Sequence, residues 1–151
     1  MRRFVLDTNI CLAHIRDNSI YQRIERDLDL QNSNTITLIS VVTKAELLSL
    51  GVKLGWGKPK ISKLSRLLNQ LIIIDINHSD NELIEAYYTI DAFSQGKLPD
   101  KPLNQSARNL GKNDLWIAAT AYAANAELIT TDKDFEHLND SFLKVHTYKI
   151  T

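Results

Sequence analysis

The chain holds one cysteine, Cys11, in 151 residues, so it forms no internal disulfide. A lone thiol suits a reducing compartment, and the cytoplasm is the expected one. Long apolar runs are missing as well. None approaches the roughly 18 residues that a membrane helix needs, so no membrane partner is expected. Arg2 and Arg3 open the chain like the basic start of a signal peptide, but Asp7 interrupts the apolar stretch behind them. Glycine and proline are sparse, at five and three, and no linker or repeat divides the sequence. One domain, residues 1–151, is expected. No charge of one sign is in excess: 18 Lys+Arg face 18 Asp+Glu, and the isoelectric point is near 6.9. That balance excludes a whole-domain attraction to nucleic acid.

Several site types are absent too. The four histidines show no H-x-x-x-H spacing and no cysteine pair accompanies them, which argues against zinc. No serine stands in a nucleophile elbow. Gly51, Gly55, Gly57 and Lys58 imitate a phosphate loop, but the spacing fails at Val52 and Pro59 replaces the Ser/Thr. An aspartyl-nucleophile phosphatase needs a second acid two residues after the first, and Asn9 stands there.

What is present is a chain with 44% apolar residues, ample for a core. Phe4–Leu6, Thr35–Ser40, Leu71–Ile76, Glu127–Thr130 and Lys144–Ile150 read as strands. Helical spacing fills Ile10–Ile15, Ile20–Leu28, Val41–Leu54 and Ile61–Leu71, the last two as a hairpin. Ser79-x-x-Glu82 reads as a capping box for a helix to Gln95, closed by Gly96. Asn113 reads as the cap of a helix over Asp114–Asn125, after an irregular excursion at Lys97–Gly111. Asp132–Leu138 is a short helix or turn. Strands alternating with helices predict an α/β fold, a three-layer α/β/α sandwich around a mostly parallel sheet.

The acids fall on one edge of that sheet. Asp7 closes the first strand, Asp132 follows the fourth, Glu46 lies early in the helix after the second, and Asp114 opens a helix. Ligands bind parallel sheets outside the carboxyl ends of their strands. Carboxylates gathered there repel unless a cation neutralises them, and an all-oxygen set suits Mg²⁺ or Mn²⁺. Such a site serves phosphodiester hydrolysis, with Thr8, Thr130 and Thr131 offering hydroxyls nearby. Each acid also has an ordinary reading. Glu46 can complete a capping box with Thr43, Asp114 can complement a helix dipole, and Asp132 can be a turn residue. Asp7 is harder to explain away, because a charge ending a buried strand needs a partner.

FVLDTNI at 4–10, AEL at 45–47, KNDLWIAATA at 112–121 and LITTDKDF at 128–135 together resemble the PIN-domain family, specifically its VapC-type toxin ribonucleases. The resemblance spans Phe4 to Phe135. It implies that Asp7, Glu46, Asp114 and Asp132 are the catalytic, metal-binding acids, supported by Asn9 and Thr131. It further implies an endoribonuclease that cuts RNA, a homodimer, and a small antitoxin partner whose tail fills the acidic cleft. Asp134 is an extra acid without an evident role. The alternatives are a non-catalytic RNA-binding or interaction module on the same fold, and a structure-specific DNA nuclease.

One local charge feature remains. From Leu47 to Ile74 there is no acid, while Lys53, Lys58, Lys60, Lys63 and Arg66 stand in that stretch. Lys58, Lys60 and Lys63 are candidate RNA contacts, with Trp56 between two glycines as a candidate base-stacking platform. The plain alternatives are a solvated helix face and a partner-helix contact. Trp116, in a helix rich in Ala, is expected in the core.

Overall fold

The computed structural model describes residues 1–150; Thr151, the end of the expected domain, lies outside them. Five strands form one sheet: β1 (Arg2–Leu6), β2 (Thr35–Ser40), β3 (Ile72–Ile74), β4 (Glu127–Thr130) and β5 (Val145–Thr147). Their order is β3-β2-β1-β4-β5, and every neighbouring pair is parallel. Six helices connect them: α1 (Thr8–Ile15), α2 (Ser19–Leu28), α3 (Val41–Lys53), α4 (Lys58–Gln70), α5 (Asn81–Ser94) and α6 (Lys112–Ala123). A 3₁₀ turn, Lys133–Leu138, follows β4.

Successive strand residues point to opposite faces, and both faces are apolar because both are covered. Phe4, Leu6, Ile39 and Ile129 pack against Ile10, Ile24, Leu47 and Leu64 of α1–α4. Val5, Leu38 and Leu128 pack on the other side against Ile90, Phe93, Ile117 and Ala118 of α5 and α6. The three-layer α/β/α sandwich is therefore present, and its sheet is wholly parallel. Among the described residues no helix is long and apolar enough to cross a membrane.

Helix ends follow local hydrogen bonding. At the end of α5, Gly96 takes φ 72°, its N–H reaches the Phe93 carbonyl (2.9 Å) and that of Lys97 reaches Ala92 (2.8 Å). This is a Schellman closure, and the left-handed backbone is why glycine stands there. Two expected caps are corrected. Asp80, not Ser79, accepts from the Leu83 N–H and opens α5, while the Ser79 hydroxyl donates to Asn77. Gly111, not Asn113, precedes α6, and no side chain caps it. The outer strands β3 and β5 are also shorter than their apolar runs, because pairing with one neighbour ends before the run does. Trp116 is half-buried rather than in the core, its ring centroid 4.3 Å from that of Tyr87.

From β1 the chain steps outward to β2 and β3, then returns past β1 to β4 and β5. The connections leaving β1 and β4 thus diverge, and a crevice opens at their carboxyl ends.

Candidate active site

Asp7 stands at that crevice, immediately after β1, and is only 3% exposed. Its backbone N–H donates to the Ile129 carbonyl (2.9 Å), fixing it between β1 and β4. Its carboxylate caps α1: Oδ1 accepts from the Thr8 N–H (2.8 Å), and Oδ2 from the Thr130 hydroxyl (2.6 Å). Burial nevertheless dominates and pushes the Asp7 carboxyl up to about 6, with Asp132 and Glu46 adding repulsion.

Glu46, one helical turn into α3 beyond Val42, is held from α1. The Thr8 hydroxyl donates to its Oε1 at 2.7 Å and lies 3.1 Å from the Thr43 hydroxyl. The capping-box reading of Glu46 with Thr43 fails, since the Ser40 Oγ caps α3 by accepting from Val42. Asp114 enters from the first turn of α6 and is half-buried. Burial pushes its carboxyl up to about 6, and then Asp7, Asp132, Glu46 and Asp134 in that order push it further the same way. Asp132 caps the 3₁₀ turn through the Asp134 N–H, and its own N–H donates to the Thr130 hydroxyl (2.9 Å). Thr130 therefore links Asp7 to Asp132.

The four acids thus come from four segments far apart in sequence and share one electrostatic neighbourhood. They do not form a closed cage. Among the described residues, no three His, Cys, Asp or Glu side chains stand close enough to hold one ion.

The supporting residues divide. Thr8 and Thr130 bond acids directly. Asn9 and Thr131 make no such bond among the described residues and line a hollow beside the acids. Asp134 has an evident partner in Arg108 (3.4 Å), which ties the 97–111 excursion to the segment after β4. Sequence reading missed Arg108, which lies in no motif, and it placed Thr43 beside Glu46 as a cap rather than as a neighbour of the Thr8 hydroxyl.

The basic run lies elsewhere. Lys63 is ion-paired with Asp17. The Trp56 ring is half-buried against Gly51 and the α1–α4 core, with Lys60 5.9 Å above it. Neither Trp56 nor Lys58, Lys60 or Lys63 lines a hollow adjoining the acids.

Comparison with known proteins adds the family. The sequence profile of the PIN domain matches residues 4–140. The chain belongs to the PIN domain family. Within that family it is 34% identical over 145 residues to Ribonuclease VapC2 of Rickettsia felis, covering 93% of this chain and 96% of that one. It is 32% identical over 141 residues to Ribonuclease VapC1 of Haemophilus influenzae, covering 91% and 92%. Among solved structures, VapBC2 from Rickettsia felis bound to a promoter DNA fragment superposes with a TM-score of 0.70 at 28% identity, covering 97% and 99%. VapBC-1 from nontypeable Haemophilus influenzae gives 0.68 at 25%, covering 96% and 97%. The PIN domain thus accounts for nearly the whole chain.

Proposed function

We propose that residues 1–151 act as one PIN-like nuclease domain, a divalent-metal-dependent endoribonuclease and the toxin half of a toxin–antitoxin pair. One observation carries the reading. Asp7, Glu46, Asp114 and Asp132 converge on one crevice from four segments, with Thr8 joining Asp7 to Glu46 and Thr130 joining Asp7 to Asp132. Burial and their mutual repulsion raise the Asp7 and Asp114 carboxyls. Like charges gathered around a buried carboxylate are costly unless they serve a cation.

The donor set fits a hard cation, all oxygen and all from carboxylates: Asp7, Glu46, Asp114 and Asp132 would hold Mg²⁺ or Mn²⁺. Asp114 and Asp132 are only half-buried, so their side chains have room to turn inward. When bound, the ion supplies neutralisation of the acids, a water nucleophile at neutral pH and a counter-charge for the phosphate. The chain's own residues do the positioning. Thr8 and Thr130 orient Asp7 and Glu46, Thr130 anchors the Asp132 backbone, and Asn9 and Thr131 border the space where substrate enters. RNA as substrate is supported by the two ribonuclease relatives, and a small antitoxin by the VapBC complexes. A homodimer in the cytoplasm completes the reading.

The test is cleavage of RNA with and without added metal. The parent is expected to cut only with Mg²⁺ or Mn²⁺, and Asp7→Asn or Asp114→Asn to abolish cutting while the fold persists. An Asp7→Asn protein that cuts at the parental rate removes these acids from the mechanism.

A further inference from the structure

Two hollows follow helices that start near the acids, one lined by Glu46 and the other by Asn9 and Thr131, and each reaches a cation one heptad further along its helix. The first, of about 450 Å³, follows α3. Val42, Ala45, Glu46, Ser49, Leu50 and Lys53 line it, at i, i+3, i+4, i+7, i+8 and i+11 on one helical face. Asn113 closes it from α6. The second, of about 260 Å³, follows α1, where Asn9, Leu12, Ala13 and Arg16 stand at i, i+3, i+4 and i+7. Thr131 and Ile150 wall its far side. The two hollows share no residue.

Their chemistry matches. The first begins at Glu46; the second, which no acid lines, begins at Asn9 and Thr131, close in the chain to Asp7 and Asp132. Each continues over small or apolar side chains to an exposed cation, Lys53 in the first and Arg16, with Asn18 beside it, in the second. Seven residues of helix carry Lys53 and Arg16 about 10 Å along their axes from Glu46 and Asn9. Neither cation has a carboxylate partner among the described residues, whereas Lys63, Arg108 and Arg2 are all paired.

We propose that the two hollows are the two flanks of a single-stranded RNA path, with Arg16 and Lys53 binding phosphates on opposite sides of the cut. The inference rests on the ribonuclease reading above. An acidic crevice repels a polyanion, and only the metal attracts it there. Cations set back from the acids on both sides hold the strand in register without quenching the carboxylates. The apolar stretches between, Leu50 in one hollow and Leu12 and Ala13 in the other, suit riboses and base faces. Lys58, Lys60 and Trp56, at the start of the α3–α4 hairpin's second arm, lie off this path.

Both cations also sit at the C-terminal ends of their helices, where positive charge eases the helix dipole. That structural role moves melting temperature, not substrate affinity, so the two are separable.

The experiment compares the parent, Arg16→Gln, Lys53→Gln, the Arg16→Gln/Lys53→Gln pair and a Lys58→Gln/Lys60→Gln control. Cleavage of a single-stranded dodecamer RNA and of a trinucleotide is followed with saturating Mg²⁺ or Mn²⁺. Binding of the dodecamer is measured in an Asp114→Asn background across about 50–200 mM salt. Each lost phosphate contact flattens the slope of log Kd against log salt by about 0.7, or about fourfold weaker binding near 0.15 M. The expected result is that each single change shows this loss and the pair shows both. KM for the dodecamer rises with kcat little changed, and the trinucleotide, too short to reach the cations, is cut as by the parent. The control matches the parent. A pair variant with parental KM and salt slope overturns the path, whatever peptide the hollows hold. So does a control that loses affinity while the pair does not. A parent that cuts no RNA overturns the ribonuclease reading and this inference with it.

Discussion

At the residue scale Asp7 carries a conflict between burial and charge. It is nearly inaccessible, faces other acids, and is held by only two hydrogen bonds, from Thr8 and Thr130. Its carboxyl lies near 6 in the fold against 3.8 unfolded. The folded state therefore binds the proton more tightly, and stability falls as pH rises through that window. A shift of that size corresponds to about 3 kcal/mol lost between pH 3.8 and just above 6. In metal-free protein, Asp7→Asn is expected to remove this fall. The stability difference, mutant minus parent, should rise by up to about 3 kcal/mol from pH 4 to pH 7, read by denaturant titration at each pH. Comparing differences cancels the opposite trend from acids such as Glu127, whose carboxyl is held down by Arg2. A difference independent of pH would mean Asp7 is not buried against other acids.

At the element scale the α3–α4 hairpin shows how packing positions a side chain that local sequence leaves open. Trp56 between glycines looks free to stack on a base, yet its ring rests on Gly51 of α3, beside Ile61. A Cβ on Gly51 would meet the Trp56 Cε3 at 3.2 Å, so alanine is already tight. Gly51→Val adds two methyl groups beyond that point and is expected to destabilise by about 1–3 kcal/mol. Thermal melting reads the loss, and Trp56 fluorescence should shift toward the exposed value. Metal-dependent RNA cleavage at a temperature where the variant stays folded should be near parental, because the hairpin's turn lies off the acidic crevice. The helix caps teach the same lesson: Ser79 and Asn113 have the right chemistry, but backbone geometry gives the ends of those helices to Asp80 and Gly111.

At the scale of the whole molecule, the switch in strand order brings the acids together, and a cation bound there stabilises only the folded chain. Mg²⁺ or Mn²⁺ at a hundredfold excess over Kd is expected to add about 2.7 kcal/mol. For a domain of this length 1 kcal/mol moves Tm by roughly 2–4 °C, so the parent should melt several degrees higher with metal. In Asp114→Asn the gain should shrink, while the metal-free Tm rises because one repelling charge is gone. Identical parental curves with and without metal would defeat the metal site.

Much of this was legible in the linear chain. Apolar runs with β-branched residues mark strands because a doubly covered sheet buries both faces, and alternating strands and helices leave few arrangements other than a parallel α/β sandwich. The positions of Asp7, Glu46, Asp114 and Asp132 after strands or at helix starts follow from the same pattern. What tertiary structure alone decided is who touches whom across long separations. Thr130 bonds Asp7 from 123 residues away and Lys63 is taken by Asp17 from 46. Arg108 finds Asp134, and Arg16 and Lys53 come to line two separate hollows. Sequence periodicity encodes which face of an element is apolar, a local property of the chain. Contacts between polar side chains depend on how those faces dock, and docking is set by the packing of the whole core.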